Sequence, residues 1–342
     1  MKIVIASYLE PELVARVRAV DPRLEVFYEP SLLRPPRYAA DHTGSPIERT
    51  PEEEAKWRSL LAEADVLFDF DQTHLDDLPE LAPNVGWIQA TSAGIGERVA
   101  SLGYAKRMPG AVFTTASGVH AVPLAEFCLL GMLAFTRLLF DTVEQQRRRE
   151  WTRFAGSELG GRTVVVFGHG SIGAEVGRVA RAVGMRVIGV KRTPGGDPEA
   201  LNADEIHSAE GLLDLLPQAE FLVIAAPHTR ATEGAIGEAE LAALPPGAVV
   251  INVGRGSLVD EPALIAALES KRLGGAVLDV FATEPLPPDS PLWSMPNVLV
   301  SPHSAATSDR ENERIVDLFC ENIRRFLAAE PLLNVLDPDL RY

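Results

Sequence analysis

The segment Gly168-His169-Gly170-Ser171-Ile172-Gly173 constrains this chain more than any other, because it joins an apolar run, Thr163 to Phe167, to an amphipathic stretch, Ala174 to Val183. A strand, a glycine-rich turn and a helix in that order form the opening unit of a dinucleotide-binding fold. Gly168 permits the tight turn, Gly170 lets backbone approach a pyrophosphate, and Gly173 lets the helix pack on its strand, so the helix amino end faces phosphate. A binding unit that starts this late requires another domain before it. With 342 residues, two domains of roughly 100 to 200 residues each are expected.

The rest of the chain supplies them. Short apolar runs at Ile3 to Ala6, Leu24 to Tyr28, Val66 to Phe70, Gly86 to Gln89 and Val112 to Thr115 alternate with helix-like segments such as Pro11 to Val20 and Pro51 to Glu63. This pattern is that of a small α/β unit. Between them Ser31 to Pro51, rich in proline and polar residues, reads as an irregular loop placed to shape a substrate entrance. A greasy helix, Ala121 to Phe140, precedes a second series of six strands: Thr163 to Phe167, Arg186 to Val190, Phe221 to Ile224, Ala248 to Asn252, Ala276 to Leu278 and Val298 to Val300. Asp309 to Ala329 then reads as a long amphipathic helix that returns the chain to the first domain. The expected fold is α/β, with two Rossmann-like domains built on doubly wound parallel sheets. The dinucleotide-binding domain, residues 119–306, is inserted in a discontinuous substrate domain, residues 1–118 plus 307–342.

Charge and cysteine usage narrow the function classes. A formal net charge of −16 argues against nucleic acid and anionic membranes as partners, while leaving room for a local basic pocket that takes a small anion. Cys128 and Cys320 sit in apolar helical patterns without metal-ligand spacing, so both are expected as buried free thiols of a reducing compartment. Met1 to Ala6 turns polar too soon for a secretion signal, and Glu126 and Arg137 interrupt the greasy helix, which reads as a buried or interface helix rather than a membrane span. A cytoplasmic homodimer is the expectation. Trp57, Trp87, Trp151 and Trp293 read as packing anchors. His120, His169 and His228, with no acid partner identifiable from sequence, read as pocket-lining or surface residues rather than catalysts.

Three ionisable residues follow successive strands: Arg255 in Asn252-Val253-Gly254-Arg255-Gly256, Glu284 in Thr283-Glu284-Pro285, and His303 in Ser301-Pro302-His303. Parallel strands would gather them at the carboxyl edge of the sheet, where open α/β folds bind their ligands.

Taken with Leu278-Asp279-Val280-Phe281, these motifs resemble, in order and over nearly the whole chain, the D-isomer-specific 2-hydroxyacid dehydrogenase family. The resemblance implies hydride transfer between a nicotinamide cofactor and a small 2-oxo or 2-hydroxy acid. It puts Arg255 on the carboxylate and carbonyl of the 2-oxo acid, His303 as proton donor to the carbonyl oxygen, and Glu284 as the group that holds the imidazole and raises its pKa. Asp279 matches a position near the nicotinamide carboxamide, and Ala226, Pro227 and Thr229 match a loop along the cofactor, with Val253 and Gly254 beside it. Ser92, Ala93 and Gly94 match a first-domain loop whose backbone amides meet the substrate carboxylate. Two departures stand out: Gly94-Ile95-Gly96-Glu97 replaces a Gly-x-Asp pattern, and Ala116-Ser117-Gly118-Val119-His120 replaces an Asn-x-Pro-Gly pattern. The second is more like the glyoxylate and hydroxypyruvate reductase branch. No regulatory extension is expected beyond the two-domain form.

The cofactor expected is NADP(H) in preference to NAD(H). A fold of this type that binds NAD places an acid about 20 residues beyond the glycines, on the ribose hydroxyls. Here Lys191, Arg192 and Thr193 stand there, and two cations with a hydroxyl suit a 2′-phosphate. The competing readings are a dehydrogenase for phosphoglycerate, formate or phosphite, and a dinucleotide-sensing corepressor, which the complete catalytic set disfavours.

Overall fold

The computed structural model describes residues 1–337. The chain divides into two compact units, Met1–Val119 with Thr307–Tyr342, and His120–Ala306. The last five residues of the substrate domain expected from sequence, 338–342, lie outside the described residues.

The first unit holds five short strands: β1 (Lys2–Ile5), β2 (Glu25–Phe27), β3 (Val66–Phe68), β4 (Trp87–Gln89) and β5 (Val112–Thr114). They pair in parallel in the order β2-β1-β3-β4-β5, one of the two common doubly wound orders. Both faces are buried, which is why β3 and β4 read as apolar runs rather than alternating ones. One face packs under the helix Glu311–Leu327, whose Ile315, Val316, Phe319 and Ile323 meet Ile3, Ile5, Phe68 and Trp87. Residues 33–50 form no strand or helix, as expected of the proline-rich loop. The helix Pro51–Glu63 begins where it does because Thr50 and Glu53 close a capping box around Pro51.

The second unit holds β6 (Thr163–Phe167), β7 (Arg186–Lys191), β8 (Glu205–Ser208), β9 (Phe221–Ile224), β10 (Val249–Asn252), β11 (Gly275–Leu278) and β12 (Val298–Val300). All pair in parallel, in the order β12-β11-β10-β9-β6-β7-β8. The chain reverses direction across the sheet between β6 and β9, and the glycine turn follows β6. It therefore sits at the topological switch point, where ligands of open α/β sheets bind.

The structure corrects three sequence expectations. There are seven strands here, not six: β8, Glu-Ile-His-Ser, is an edge strand that pairs only with β7 and is half-buried throughout, so it carries no apolar run to announce it. The greasy helix is two, Ala121–Thr136 and Leu139–Arg148, bent by 62°. The Thr136 carbonyl accepts from Ser157 N–H instead of continuing the helix, and Leu138 takes a left-handed φ of 52°. Trp57 and Trp87 are buried anchors, but Trp151, in a stretch outside any helix or strand, is 96% exposed, and Trp293 is half exposed. Both cysteines are buried and free. Among the described residues no single helix is long and apolar enough to cross a membrane.

Candidate active site

The glycine turn is held shut by main-chain bonds from Gly168 N–H and His169 N–H to the Val190 carbonyl at the end of β7, both 2.9 Å. Gly168 has a φ of 100°, and a Cβ there would lie 2.2 Å from Ala226 N, so glycine is required twice over. A Cβ on Gly173 would come within 2.6 Å of the Gly168 carbonyl, which is the close approach of helix to strand expected of it. At Gly170 a Cβ would meet nothing within 4 Å, and no side chain caps the helix Ser171–Ala182 that starts beyond it. Ser171 is exposed and Ile172 half-buried against the core. An open backbone at an uncapped helix start suits an anionic ligand, and these residues fit a dinucleotide pyrophosphate.

Beyond the turn, Lys191 ends β7 half-buried, and Arg192 and Thr193 follow it in exposed positions. Residues 190–193 themselves include no carboxylate. After β9, Ala226 is buried, and the Pro227 carbonyl and Thr229 N–H both bond the Thr232 hydroxyl, at 2.7 and 2.8 Å, which ties the loop into a turn. His228 in the same loop lies 4.0 Å from Glu233, an acid neighbour that sequence spacing did not reveal.

Arg255, Asp279 and His303 follow β10, β11 and β12, three adjacent parallel strands, and so stand at one sheet edge with the glycine turn. Asn252 shapes the first of these loops: its Nδ2 donates to the Arg255 carbonyl at 3.0 Å and its Oδ1 accepts from Gly254 N–H at 3.1 Å. Val253 is buried, and the half-buried Arg255 guanidinium folds onto the Gly254 carbonyl at 2.7 Å. Glu284 accepts from Phe281 N–H through Oε1 at 3.0 Å and meets His303 Nδ1 through Oε2 at 2.7 Å. One carboxylate thus spans its own loop and the imidazole. The bond leaves Nε2 as the far nitrogen of a ring whose residue adopts a left-handed φ of 53°.

Asp279 does something sequence reasoning missed. It is 1% exposed, and its Oδ1 accepts from the Ser301 hydroxyl at 2.6 Å, Ser304 N–H at 2.8 Å and Ala305 N–H at 3.0 Å. The His303 N–H also donates to the Asp279 carbonyl at 2.9 Å. Asp279 therefore organises the whole turn that presents His303. Its position inside a quoted motif was the only signal, because its partners lie 22 to 26 residues away.

In the first unit, Ser92, Ala93 and Gly94 form the turn after β4. Gly94 N–H donates weakly to Ser92 Oγ at 3.3 Å, and the Ser92 carbonyl is held by Ala116 N–H at 3.1 Å. A second residue absent from the sequence reading stands just past β3: Asp69 is buried, with a left-handed φ of 67°. Burial pushes its carboxyl up.

A doubly wound sheet with a glycine turn at its switch point and a histidine–carboxylate pair at the same edge defines a dinucleotide-dependent dehydrogenase. Residues 129–305 match the family model described as D-isomer specific 2-hydroxyacid dehydrogenase, NAD binding domain, and the chain belongs to the D-isomer specific 2-hydroxyacid dehydrogenase family. It is 32% identical over 292 residues to a glyoxylate reductase of Aeropyrum pernix, covering 82% of this chain and 85% of that protein. A D-3-phosphoglycerate dehydrogenase of Methanocaldococcus jannaschii is 32% identical over 230 residues, 67% of this chain, but the match spans only 43% of that longer protein. Among solved structures, a D-isomer specific 2-hydroxyacid dehydrogenase from Xanthobacter autotrophicus Py2 in complex with NADPH and MES matches with a TM-score of 0.78 and 31% identity, over 100% of this chain and 99% of that one. An NADPH-dependent glyoxylate/hydroxypyruvate reductase from Sinorhizobium meliloti in complex with NADP and sulfate matches with a TM-score of 0.78 and 26% identity, over 100% and 99%. The chain is thus an oxidoreductase of 2-hydroxy and 2-oxo acids.

Proposed function

We propose that this protein is an NADPH-dependent reductase of a small 2-oxo acid, glyoxylate or hydroxypyruvate. The observation that carries the reading is the joint presence, at one sheet edge, of the His303–Glu284 pair at 2.7 Å, Arg255, and Lys191-Arg192-Thr193 where a ribose-binding acid would stand. The glyoxylate reductase and the NADPH and NADP complexes among its relatives support the same choice of substrate and cofactor.

In this reading residues 120–306 bind the dinucleotide and the first unit binds substrate. Gly168 to Gly173 cradle the pyrophosphate, Lys191, Arg192 and Thr193 hold the 2′-phosphate, and Ala226, Pro227, Thr229, Val253 and Gly254 line the remainder. The bound cofactor supplies a hydride to C2 of the 2-oxo acid. Arg255 binds the carboxylate and draws charge onto the carbonyl oxygen, its planar fork suited to two contacts at once. His303 Nε2 gives its proton to that oxygen, and Glu284 at Nδ1 orients the ring for the transfer. In the oxidative direction neutral His303 takes the proton back. Asp279 holds the loop on which His303 rides. Ser92, Ala93 and Gly94 meet the substrate carboxylate with backbone amides.

We also propose a homodimer built on the segment after residue 120. Leu130, Leu133, Leu139, Val143, Trp151 and Phe154 all leave large apolar side chains in solvent there, and the helix Leu139–Arg148 buries none of its residues within the chain. Light scattering tests it: a monomer overturns the dimer. A cytoplasmic location suits two buried free thiols, and the acidic balance of the chain leaves nucleic acid and membrane out of its partners.

Steady-state reduction of glyoxylate, hydroxypyruvate and other 2-oxo acids with each cofactor tests the function. A higher kcat/KM with NADPH than with NADH, for glyoxylate or hydroxypyruvate over longer acids, is expected. Equal use of both cofactors overturns the cofactor assignment, and no turnover of any 2-oxo acid overturns the enzyme reading.

A further inference from the structure

The second position of the glycine turn, unconstrained by the motif, holds a histidine whose side chain the chemistry above does not use. His169 is 1% exposed, far from the pocket-lining or surface place expected of it. Its imidazole occupies space that Gly189 vacates. A Cβ on Gly189, in the middle of β7, would lie 2.6 Å from the ring Cγ and 2.8 Å from Nδ1, and one on Gly177, in the helix after the turn, would lie 3.4 Å from Cε1. The ring therefore fits only because β7 lacks a side chain at the point of contact, while the helix meets it at ordinary van der Waals distance.

Its polar atoms point to a single structural element. Nε2 lies 2.8 Å from the Leu201 carbonyl, an acceptor with no proton to give, so Nε2 carries the hydrogen. Nδ1 has no partner among the described residues. Burial, together with the nearby Lys191 ammonium, holds the ring pKa below its ordinary value, against the opposing pull of the Leu201 bond, so the side chain is a neutral donor. Meanwhile its backbone N–H binds the Val190 carbonyl at 2.9 Å, directly before Lys191. One residue thus grips both ends of residues 191–201: the departing end through its main chain and the returning end through its ring.

The stretch between those grips is the one that carries Lys191, Arg192 and Thr193. It contains Gly195 and Gly196 at φ of 134° and 92°, and the Leu201 side chain lies 3.0 Å from where a Gly196 Cβ would sit. Asn202 packs its carbonyl against the bare Gly177, where a Cβ would come within 2.2 Å. Leu201 is therefore a point against which Gly196 rests, its N–H bonded within the segment to Asp197 and Pro198 and its carbonyl tied to the glycine turn by His169.

We propose that His169 is a positioning residue for cofactor selection, its imidazole setting the place of the 191–201 segment and hence the fit of a dinucleotide 2′-phosphate. The inference rests on the assignment of Lys191, Arg192 and Thr193 to that phosphate. It touches neither the hydride nor the substrate, so its signature is a change in cofactor discrimination rather than in turnover.

Calorimetric titration of the full-length protein with NADPH and with NADH, without substrate, tests it. In His169→Leu and His169→Phe, which keep apolar bulk and remove the donor, NADPH affinity is expected to fall roughly tenfold, the worth of one lost hydrogen bond, while NADH affinity changes by less than about a third of that factor. His169→Gln, which keeps a donor amide, is expected to retain most of the wild-type preference; circular dichroism confirms that each variant is folded. Equal weakening of both cofactors in the Leu and Phe variants, no change in either, or the same loss in the Gln variant overturns the role of His169. A wild-type protein that binds both cofactors equally overturns instead the assignment of Lys191, Arg192 and Thr193 on which the proposal rests.

Discussion

The two parallel sheets of this chain hold their polar groups over different ranges of sequence. At the carboxyl edge of the second sheet the bonds lie within a loop or between neighbouring ones: Asn252 shapes the Arg255 turn from three residues away, Glu284 reaches back three residues to Phe281, and the ties from Glu284 and Asp279 to the His303 loop span 19 to 26 residues. In the first unit the equivalent bonds span the chain. Asn322, fully buried, donates to Gln89, 233 residues away, and exchanges bonds with the backbone of Leu333, while Asn312 donates to Glu10 across 302 residues. His74 sits between Asp71 at 2.7 Å and Glu54 at 2.8 Å, with the Trp57 indole on the same Asp71 carboxylate. Local bonding lets a loop present a side chain whatever surrounds it. Long-range bonding makes the first unit depend on its last helix being in place.

That contrast can be broken by substitution. The largest effect is expected at the second sheet: His303→Ala should lower kcat by about 10²–10⁴-fold, the usual worth of a positioned proton donor, with thermal unfolding little changed because both the ring and its Glu284 partner are partly exposed. Near-normal turnover would remove His303 from the chemistry. Next in size is Asn322→Ala, which strands the Leu333 N–H and leaves Gln89 a partner short inside the core. Urea unfolding should show a loss of roughly 2–4 kcal/mol, and a loss below about 1 kcal/mol would mean the C-terminal helix is held by its apolar face alone.

The smallest effect is one of pH. The hydrogen bond that His74 donates to Asp71, with the charge of Asp71 and Glu54, outweighs burial and raises the His74 pKa above its ordinary 6.5. A raised folded pKa contributes stability that is fully present below 6.5 and is lost as pH rises through the folded value. Burial pushes the Asp71 carboxyl up, but bonds from His74, Thr73 and Trp57 bring it below the ordinary range, so its own contribution disappears only in acid. Between pH 6 and 9 the stability of the wild type should therefore decline more steeply than that of His74→Gln. Parallel curves would show that the His74 network is indifferent to its charge.

The same contrast explains what could be read before the structure. Eleven strands are found at or within two residues of the predicted runs, because the strands of a parallel sheet, most of them buried on both faces, are short apolar runs. The missed β8 has one apolar residue in four and faces solvent along one edge. The broken helix was invisible because its break depends on Ser157 capturing the Thr136 carbonyl from 21 residues away. The placement of Arg255, Glu284 and His303 beyond β10, β11 and β12 was legible because each sits in a short motif that follows a strand. Asp279 was legible as a position but not as the hub of the His303 turn.

By itself, the sequence determined the order of strands and helices, the glycine turn and the edge at which the chemistry gathers, since each of these follows from local pattern and the parallel course of the chain. Only the tertiary structure decided that Glu284 meets His303, that Asp279 ties Ser301, Ser304 and Ala305, and that His169 turns inward between Gly177 and Gly189. Those are contacts between segments that share no local code: a hydrogen bond needs partners within about 3 Å, and folding alone brings residues far apart in the chain to that distance.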